Sequence, residues 1–458
     1  MYLVEQHVFK KKTHEYDLLD EVCRMTKNLY NAGLYIVRQK YFKDADYINY
    51  YKMSKLVKEI ELPEFRALPA GLAECTLKLL DKNFQSFFAL LKKKQKGGED
   101  GYNKKIRIPR YLDKDKGRFI ATYPLGSISK KELETNGVIK LTCLNMTIKT
   151  NIKYEQVKQV RVVPRHSFYV VEVLYRIPDV EPLPDNGRYA SIDLGVNNLA
   201  TIAFNCERPI IINGKPIKSV NQYFNKRRGD LQSKLTGNKR TSNLIHAVTR
   251  NRNNTIKNYL HKASRYIVDY LLKNNINTLF IGKNDGWKQE VDIGKTNNQN
   301  FVQIPHTQLV EMLHYKCGLA GITVFDVPEA YTSECSFFDD EPIKKKTDDK
   351  YVGKRIKRGL FRTSKGWIVN ADCNGALNIM RRGFEKHFQD GVIAYESEKL
   401  SMTPKIITIS DDTVCKLMGD KKEDEKEEVE VKEVLPPVKE PEAINFDNYI
   451  QAEFNLLS

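Results

Sequence analysis

The stretch RYASIDLGVNNLATIAF, residues 188–204, sets the reading of the chain. Two runs of small and β-branched apolar residues flank a polar turn, the pattern of two buried strands joined by a tight connection. The first run ends on Asp193, followed at once by Leu194, Gly195, Val196, Asn197 and Asn198. A carboxylate at a strand end, beside a glycine that lets the backbone turn sharply, is well placed to hold a divalent cation. For a lone aspartate an Asx-turn or a helix cap is the better explanation, so Asp193 needs company to mean more.

That company lies downstream. From about Lys218 to Asn275 the sequence is basic with helical periodicity, including KRRGDLQSKLTGNKR and VTRNRNNTIKNYLHKASRYIVDYLLKN. TLFIG and ITVFDV read as short buried strands separated by a helix near Pro305–Ala320, and NADCNGALNIMRRG as the start of a final helix. Asp372 in this last motif either caps the helix or is a second acid of a site. Asn374 and Asn378, four residues apart, share one helix face and would form a polar wall beside a metal.

Upstream, MYLVEQHVFKK is strand-like, and amphipathic helices are expected over His14–Phe42 and Ala70–Lys94. From Lys105 to Pro178 the period shifts to short β-branched and aromatic runs: IRIPRYL, RFIATYPL, GVIKLTCL, MTIKTNI, QVRVVPR and FYVVEVLYRI. These imply a small β-barrel-like unit, with the helices inserted after its first strand. The Pro- and acid-rich linker PDVEPLPDNG closes this half.

Composition narrows the function. The 458 residues carry 75 Lys+Arg against 58 Asp+Glu, a net +17, and enough apolar residues for sizeable cores. From Glu396 onward there are 8 Lys and no Arg against 16 acidic residues, a net −8, which leaves +25 on the preceding 395 residues. A body that basic points to a polyanion, the alternative being an inert charged surface. The stretch Met418–Glu442 is low-complexity, and disorder is expected there. No apolar run approaches the roughly 20 residues of a membrane span, and the N-terminus lacks a secretory h-region, so no membrane partner is expected. The 8 cysteines are nowhere closer than 18 residues, which implies reduced thiols rather than a disulfide framework.

Taken together, SIDLGVNNLATI, YTSECS and NADCNGALNI resemble the first RuvC motif, the TS-x-C element and the final AD-x-N-A-x-N-I motif of TnpB proteins, transposon-encoded relatives of type V CRISPR effectors. The likeness spans about residues 1–382. It implies an RNase H-like RuvC nuclease domain plus a β-barrel wedge domain with an inserted helical recognition domain, an α/β and β architecture. The implied boundaries are 1–13 for the first wedge strand, 14–104 for the recognition domain and 105–185 for the wedge. The nuclease domain would run over 186–331 and 370–395, interrupted by a nucleic-acid-binding insertion at 332–369 and followed by the acidic tail at 396–458. The implied partners are a guide RNA from the same element and double-stranded target DNA, with target reading delegated to base pairing. The implied location is the cytoplasm or nucleoid, or the nucleus for a relative of the eukaryotic Fanzor proteins.

Two departures from the family pattern matter. The second RuvC acid, a glutamate at the end of the strand TLFIG, is replaced by Gly282. Two metals bring about four positive charges, which two carboxylates hold poorly. Glu329, after the next strand, is the candidate substitute, as in relatives with a relocated glutamate. Glu290 and Asp285 compete for the role, and an inactive site is the remaining alternative. Secondly, the zinc ribbon of relatives is reduced to Cys335, with Phe338, Arg362 and Lys365 where the other cysteines would stand, so no structural zinc is expected. The stretch KRIKRGLFRTSKGW keeps basic and aromatic residues that could follow a nucleic-acid backbone.

The expected catalytic and metal-binding set is therefore Asp193, Glu329 and Asp372, holding two Mg²⁺ ions, or Mn²⁺ in their place. Expected nucleic-acid contacts are Lys226, Arg227, Arg228, Lys234, Lys239, Arg240, Arg250, Arg252, Lys257 and Arg265, with Tyr102, Arg107 and Arg110 on the segment after the second helix. For any one of these a solvated helix face explains the charge equally well. Ile106 and Ile108 read as barrel core, and Asn298, Asn300 and Phe301 as braces of the site or as caps. The implied activity is RNA-guided DNA endonuclease. The alternatives are an RNA-guided DNA-binding protein with a dead nuclease and a strand-joining transposase. Against the last, the acid order Asp–Glu–Asp suits a RuvC nuclease better than an Asp–Asp–Glu transposase.

Overall fold

A computed structural model describes residues 1–44, 46–95, 106–237, 239–283, 303–346, 351–388, 393–395 and 403–410. Tyr102, Asp285, Glu290, Asn298, Asn300, Phe301, the stretch Met418–Glu442 and most of the acidic tail lie outside the described residues. The chain divides into two compact units, Met1–Val180 and Glu181–Ser458, the division falling within the linker at 178–187.

In the first unit, β1 (Tyr2–Lys10) leads into helix α1 (His14–Asp44), followed by α2 (Tyr50–Glu59), α3 (Pro63–Arg66) and α4 (Ala70–Gln95). Then come β2 (Ala121–Pro124), α5 (Lys130–Asn136), the hairpin β3 (Val138–Lys140) and β4 (Thr147–Lys149), and finally β5 (Val157–Pro164) and β6 (Phe168–Arg176). β1 returns to pair antiparallel with β6, Tyr2 opposite Arg176 and Lys10 opposite Phe168, so the helices are an insertion between two adjacent strands. Gly33 permits close approach of α1 and α4: a Cβ there would lie 3.0 Å from Leu80 Cδ2.

The β-barrel expected from sequence is not closed among the described residues. The strands form an open antiparallel sheet in the order β1-β6-β5-β2. The reason is in the core. Leu19, Cys23, Leu77, Leu80 and Phe84 of the helices join Tyr123, Val160, Val162, Val171 and Val173 of the sheet in one apolar cluster. Helices cover the inner face that a barrel would bury by curling on itself. IRIPRYL is not a strand either: residues 106–112 are irregular, and Pro109 lacks the N–H a ladder needs.

The second unit is built on a six-stranded sheet in the order β11-β10-β7-β8-β9-β15. Its strands are β7 (Tyr189–Leu194), β8 (Asn198–Phe204), β9 (Ile210–Asn213), β10 (Thr278–Gly282), β11 (Thr323–Val327) and β15 (Lys405–Ile407). β7, β8 and β9 are successive antiparallel neighbours, while β10 and β11 add in parallel beyond β7. This is the RNase H-like arrangement, with β7 at its centre. Helices α6 (Lys215–Ser233), α7 (Asn243–Lys273) and α8 (His306–Leu319) supply the core on one face with Ile217, Leu260, Ile267, Leu309 and Leu313. Helix α9 (Ala371–His387) covers the other face with Ala376, Leu377, Ile379 and Met380. Burial on both faces is why β10 reads as an unbroken apolar run.

The single basic helical region expected over 218–275 is two helices. The chain turns at Gly237 with φ +63°, and Ser242 restarts it by accepting the Ile245 N–H. Between β11 and α9 the insertion folds as three antiparallel strands, β12 (Lys354–Lys357), β13 (Leu360–Arg362) and β14 (Ile368–Asn370).

Candidate nuclease site

Asp193 lies on the central strand β7, one residue from its end, and is half-buried. Its carboxylate sits against the first turns of α9, where a Cβ on Gly375 would come within 3.0 Å of Oδ2, so a glycine at that position leaves room for it. Ser191, two residues back on the same strand, donates to the Ala376 carbonyl at 2.6 Å and ties strand to helix. Burial, then Glu329, then Asp372 drive the Asp193 pKa well above the usual carboxylate range, with Arg355 opposing them.

Asp372 occupies the first turn of α9. Asn370 caps the helix by accepting the Asp372 and Cys373 N–H groups at 3.0 and 3.1 Å, which leaves the Asp372 carboxylate for other partners. Asn198, at the start of β8, donates to Oδ2 at 2.7 Å. Arg355, from the insertion strand β12, donates to Oδ1 at 3.2 Å.

Glu329 follows β11 by two residues. Its Oε1 lies over Gly282, at the end of the neighbouring strand β10: a Cβ on Gly282 would fall 2.5 Å from that oxygen and 2.8 Å from Glu329 Cγ. Burial raises the Glu329 pKa to about 7. The structure thus brings Glu329, from beyond β11, and Asp372, from α9, within electrostatic reach of Asp193 on β7. Among the described residues no three His, Cys, Asp or Glu side chains are gathered tightly enough to enclose a cation. The donor chemistry nonetheless fits a hard divalent ion: all three groups are carboxylates, and the charge they share is unfavourable until something positive joins it. Arg355 supplies part of that charge; the sequence marked it only as one of the basic residues of KRIKRGLFRTSKGW, because pairing of the insertion strand with the helix start is a tertiary fact.

Asn374 and Asn378 do not form the expected polar wall. Both are fully buried. Asn374 accepts the Phe337 N–H and donates to the Cys335 carbonyl, and Asn378 donates to the Thr332 and Cys335 carbonyls, all at 2.8–2.9 Å. They fasten the root of the insertion to α9. Within the insertion, Cys335 directs its thiol to the Pro342 carbonyl at 3.4 Å. The buried Glu341 carboxylate accepts the Ser336 and Val352 N–H groups at 2.8 and 2.9 Å and pairs with Lys346 at 2.9 Å. Asp339 similarly accepts from Ser336 and Ser364.

The expected nucleic-acid contacts separate into groups. Lys226, Arg228, Lys239, Arg240 and Lys257 are exposed, as are Arg107 and Arg110 of the first unit, while Arg250 is half-buried. Arg227 and Lys234 share Asp230 at 3.0 and 3.2 Å. Arg265 pairs with the buried Asp269 at 2.8 Å. Arg252 is half-buried over the Phe224 ring and donates to Asn221 Oδ1 and the Gln303 carbonyl, so its guanidinium braces α6 against α7.

Comparison with known proteins adds to this geometry. Residues 172–288 match the family described as OrfB_IS605, probable transposase, and residues 306–379 match the Cas12f1-like TNB domain. A TnpB-like protein, ORF457, of Acidianus two-tailed virus is 25% identical over 228 residues, 47% of this chain. The chain spans about half of that relative's length, 45%. Among solved structures, a Cas12f1–sgRNA–target DNA complex has a TM-score of 0.49 at 16% identity, covering 79% of this chain and 82% of that one. C2c1 of Alicyclobacillus acidoterrestris, bound to single-guide RNA, has a TM-score of 0.36 at 9% identity, covering 81% of this chain and 67% of that one. In chain order, residues 172–288 and 306–379 thus resemble an OrfB_IS605 stretch followed by a Cas12f1-like TNB stretch.

Proposed function

We propose that the chain is an RNA-guided DNA endonuclease of the TnpB kind, hydrolysing phosphodiester bonds at Asp193, Glu329 and Asp372. The observation that carries the reading is the position of Glu329: its carboxylate oxygen stands over Gly282, where the strand-end glutamate is missing, and adds to the charge on Asp193. The three carboxylates would hold two Mg²⁺ ions, or Mn²⁺ in their place. Such ions supply an activated water and neutralise the leaving 3′ oxygen.

The protein's own groups do the rest. Asp193 is half-buried against the first turns of α9, which reduces screening by bulk water, so charge placed there counts for more than at an open surface. Asn198 orients Asp372 through one oxygen, and Arg355 holds the other while offering its remaining N–H groups to a phosphate. Exposed Lys226, Arg228, Lys239 and Arg240 provide charge for a guide–target duplex. The partners are a guide RNA and double-stranded DNA. No helix among the described residues is long and apolar enough to cross a membrane.

One observation favours a second reading, an RNA-guided DNA-binding protein without cleavage: Arg355 already occupies an Asp372 oxygen where a cation would bind. One experiment separates the two. The protein is purified with its co-bound RNA, the RNA is sequenced, and matched DNA is offered with Mg²⁺. Cutting lost in Asp193→Ala and in Glu329→Ala supports the nuclease. Tight binding without cutting in the wild type promotes the second reading, and absence of co-purifying RNA removes both.

A further inference from the structure

Along α1 of the first unit, Asn31, Tyr35, Arg38 and Phe42 recur at helical spacing and share one face. The irregular segment from Ile106 to Phe119 is pinned along α1. Asn31 clamps Leu112 from both sides, accepting its N–H and donating to its carbonyl, each at 2.9 Å. One turn back, Lys27 donates to the Lys114 carbonyl at 2.5 Å, and Thr26 donates to the Phe119 carbonyl at 3.1 Å. The Phe119 N–H reaches the Cys23 carbonyl at 3.0 Å. The segment therefore runs antiparallel to α1 as a fixed strap, with Ile108 and Leu112 packed on the core.

Its outward residues are unlike an ordinary surface. Tyr111 is 46% exposed and Phe42 63% exposed, and the Arg38 guanidinium lies 5.1 Å from the Tyr111 ring and 5.6 Å from the Phe42 ring. One cation thus holds two exposed rings in place, and Tyr35, 56% exposed, extends the apolar stripe. Arg107 and Arg110 are exposed beside Tyr111. Among the described residues no carboxylate pairs with Arg38, Arg107 or Arg110, although surface arginines elsewhere in this unit, such as Arg24 and Arg66, have acidic partners. Large exposed rings, rigidly held and ringed by unneutralised guanidinium groups, match one ligand chemistry: a π-face joined to a phosphate. Double-stranded nucleic acid keeps its π-faces stacked inside the helix, so the ligand is unpaired.

We infer that Tyr111, Arg38 and Phe42 form a ledge on which an unpaired nucleotide stacks, with Arg110 and Arg107 taking the flanking phosphates. The inference rests on the reading that the chain binds nucleic acid, and it adds a place where a base, rather than the backbone alone, is held. Whether RNA or DNA supplies that nucleotide is decided by the test.

The full chain, freed of co-purifying RNA, is titrated with fluorescent single strands of about twelve nucleotides, a length within the range one such groove covers. Uracil-bearing RNA, thymine-bearing DNA and an abasic strand of the same length are compared. Tyr111→Leu should weaken binding of the base-bearing strand about tenfold and leave the abasic strand unchanged, while Tyr111→Phe should bind as the wild type does. The strand type showing the larger loss identifies the natural source. Equal binding of base-bearing strands by Tyr111→Leu and wild type overturns the ledge, as does an equal loss on the abasic strand, which would report a change in fold or charge. Photocrosslinking of 5-iodouracil strands should map to Tyr111 or Phe42, and crosslinks confined to other residues also overturn it. A wild type that binds no strand at all overturns the parent reading, and the ledge with it.

Discussion

Glu329 and Gly282 share one volume: the space that a side chain on Gly282 of β10 would take is filled by the Glu329 carboxyl group, reaching over from beyond the end of β11. A Cβ on Gly282 would meet Glu329 Oε1 at 2.5 Å and Ile379 Cδ1 at 2.6 Å. The two residues are therefore complementary in volume. Gly282→Ala should destabilise the protein by about 1–3 kcal/mol, the usual cost of overpacking a core. Glu329→Ala opens the space, so the double variant should be more stable than the sum of the singles predicts. A double-mutant cycle from denaturant unfolding reads this coupling. Strict additivity would show that the two side-chain positions do not compete.

Stability of the metal-free protein should fall as the pH rises from about 4.5 to 7. Burial raises Glu329 from 4.5 to about 7, so between these values the folded state holds a proton that the unfolded chain has lost. An acid whose folded pKa lies above its unfolded one favours folding only while protonated, and the loss accumulates as pH rises from about 4.5 through 7, to about 3 kcal/mol at most. Asp193, raised by burial and by its acidic neighbours, acts in the same direction. Thermal unfolding of the wild type should show this decline and Glu329→Gln should flatten it. Mg²⁺ should stabilise the wild type more at pH 8 than at pH 5, since the ion binds the deprotonated acids.

How much of this could be read in advance depended on how local each signal was. Asp193 and Asp372 were legible because a strand end with a glycine and a capped helix start are written in adjacent residues. Glu329 was legible only through the gap at Gly282; no local pattern marks it. Helical periodicity placed Asn374 and Asn378 on one face but could not say that the root of the insertion, rather than solvent or a metal, lies opposite that face. Strand patterning found the strands of the first unit, yet whether they close is set by α1 and α4 covering the inner face. Charge counting proposed Arg252 and Arg265, and only the fold shows that each is held by neighbours.

Arg355 reaches Asp372 from a different structural element, at 3.2 Å. Under the proposed nuclease reading, a guanidinium at this position would face developing charge on a phosphate, and losing one such preorganised donor costs about 10²–10³ in rate. Arg355→Ala should therefore lower the single-turnover cleavage rate by about that factor while leaving the affinity of the RNA complex for matched DNA unchanged. If the arginine instead only blocks metal entry, the same variant cuts faster at low Mg²⁺. Rate measured against Mg²⁺ concentration separates the two outcomes.

The insertion is braced by a buried carboxylate, and its stability should follow that chemistry. Glu341 is 2% exposed and accepts two backbone N–H groups while pairing with Lys346. Burial works against its ionisation, but the Ser336 and Val352 N–H groups and Lys346 more than compensate, and the net effect holds its pKa below the usual value. A depressed acid stabilises the fold above its unfolded pKa and loses that contribution as pH falls through the folded one. Glu341→Ala removes the acceptor of two backbone N–H groups and the carboxylate paired with Lys346, at a cost of about 3–5 kcal/mol. Because the insertion is a small three-stranded sheet tied to α9 through Asn374 and Asn378, the loss should be local. Hydrogen exchange should show the amides of Ser336 and Val352 deprotected in Glu341→Ala, with those of β7 and β10 unchanged. The wild type should show the same deprotection on acidification, beginning below about pH 4, and none on addition of a zinc chelator. Deprotection by the chelator would mean that a metal, not Glu341, holds the insertion together.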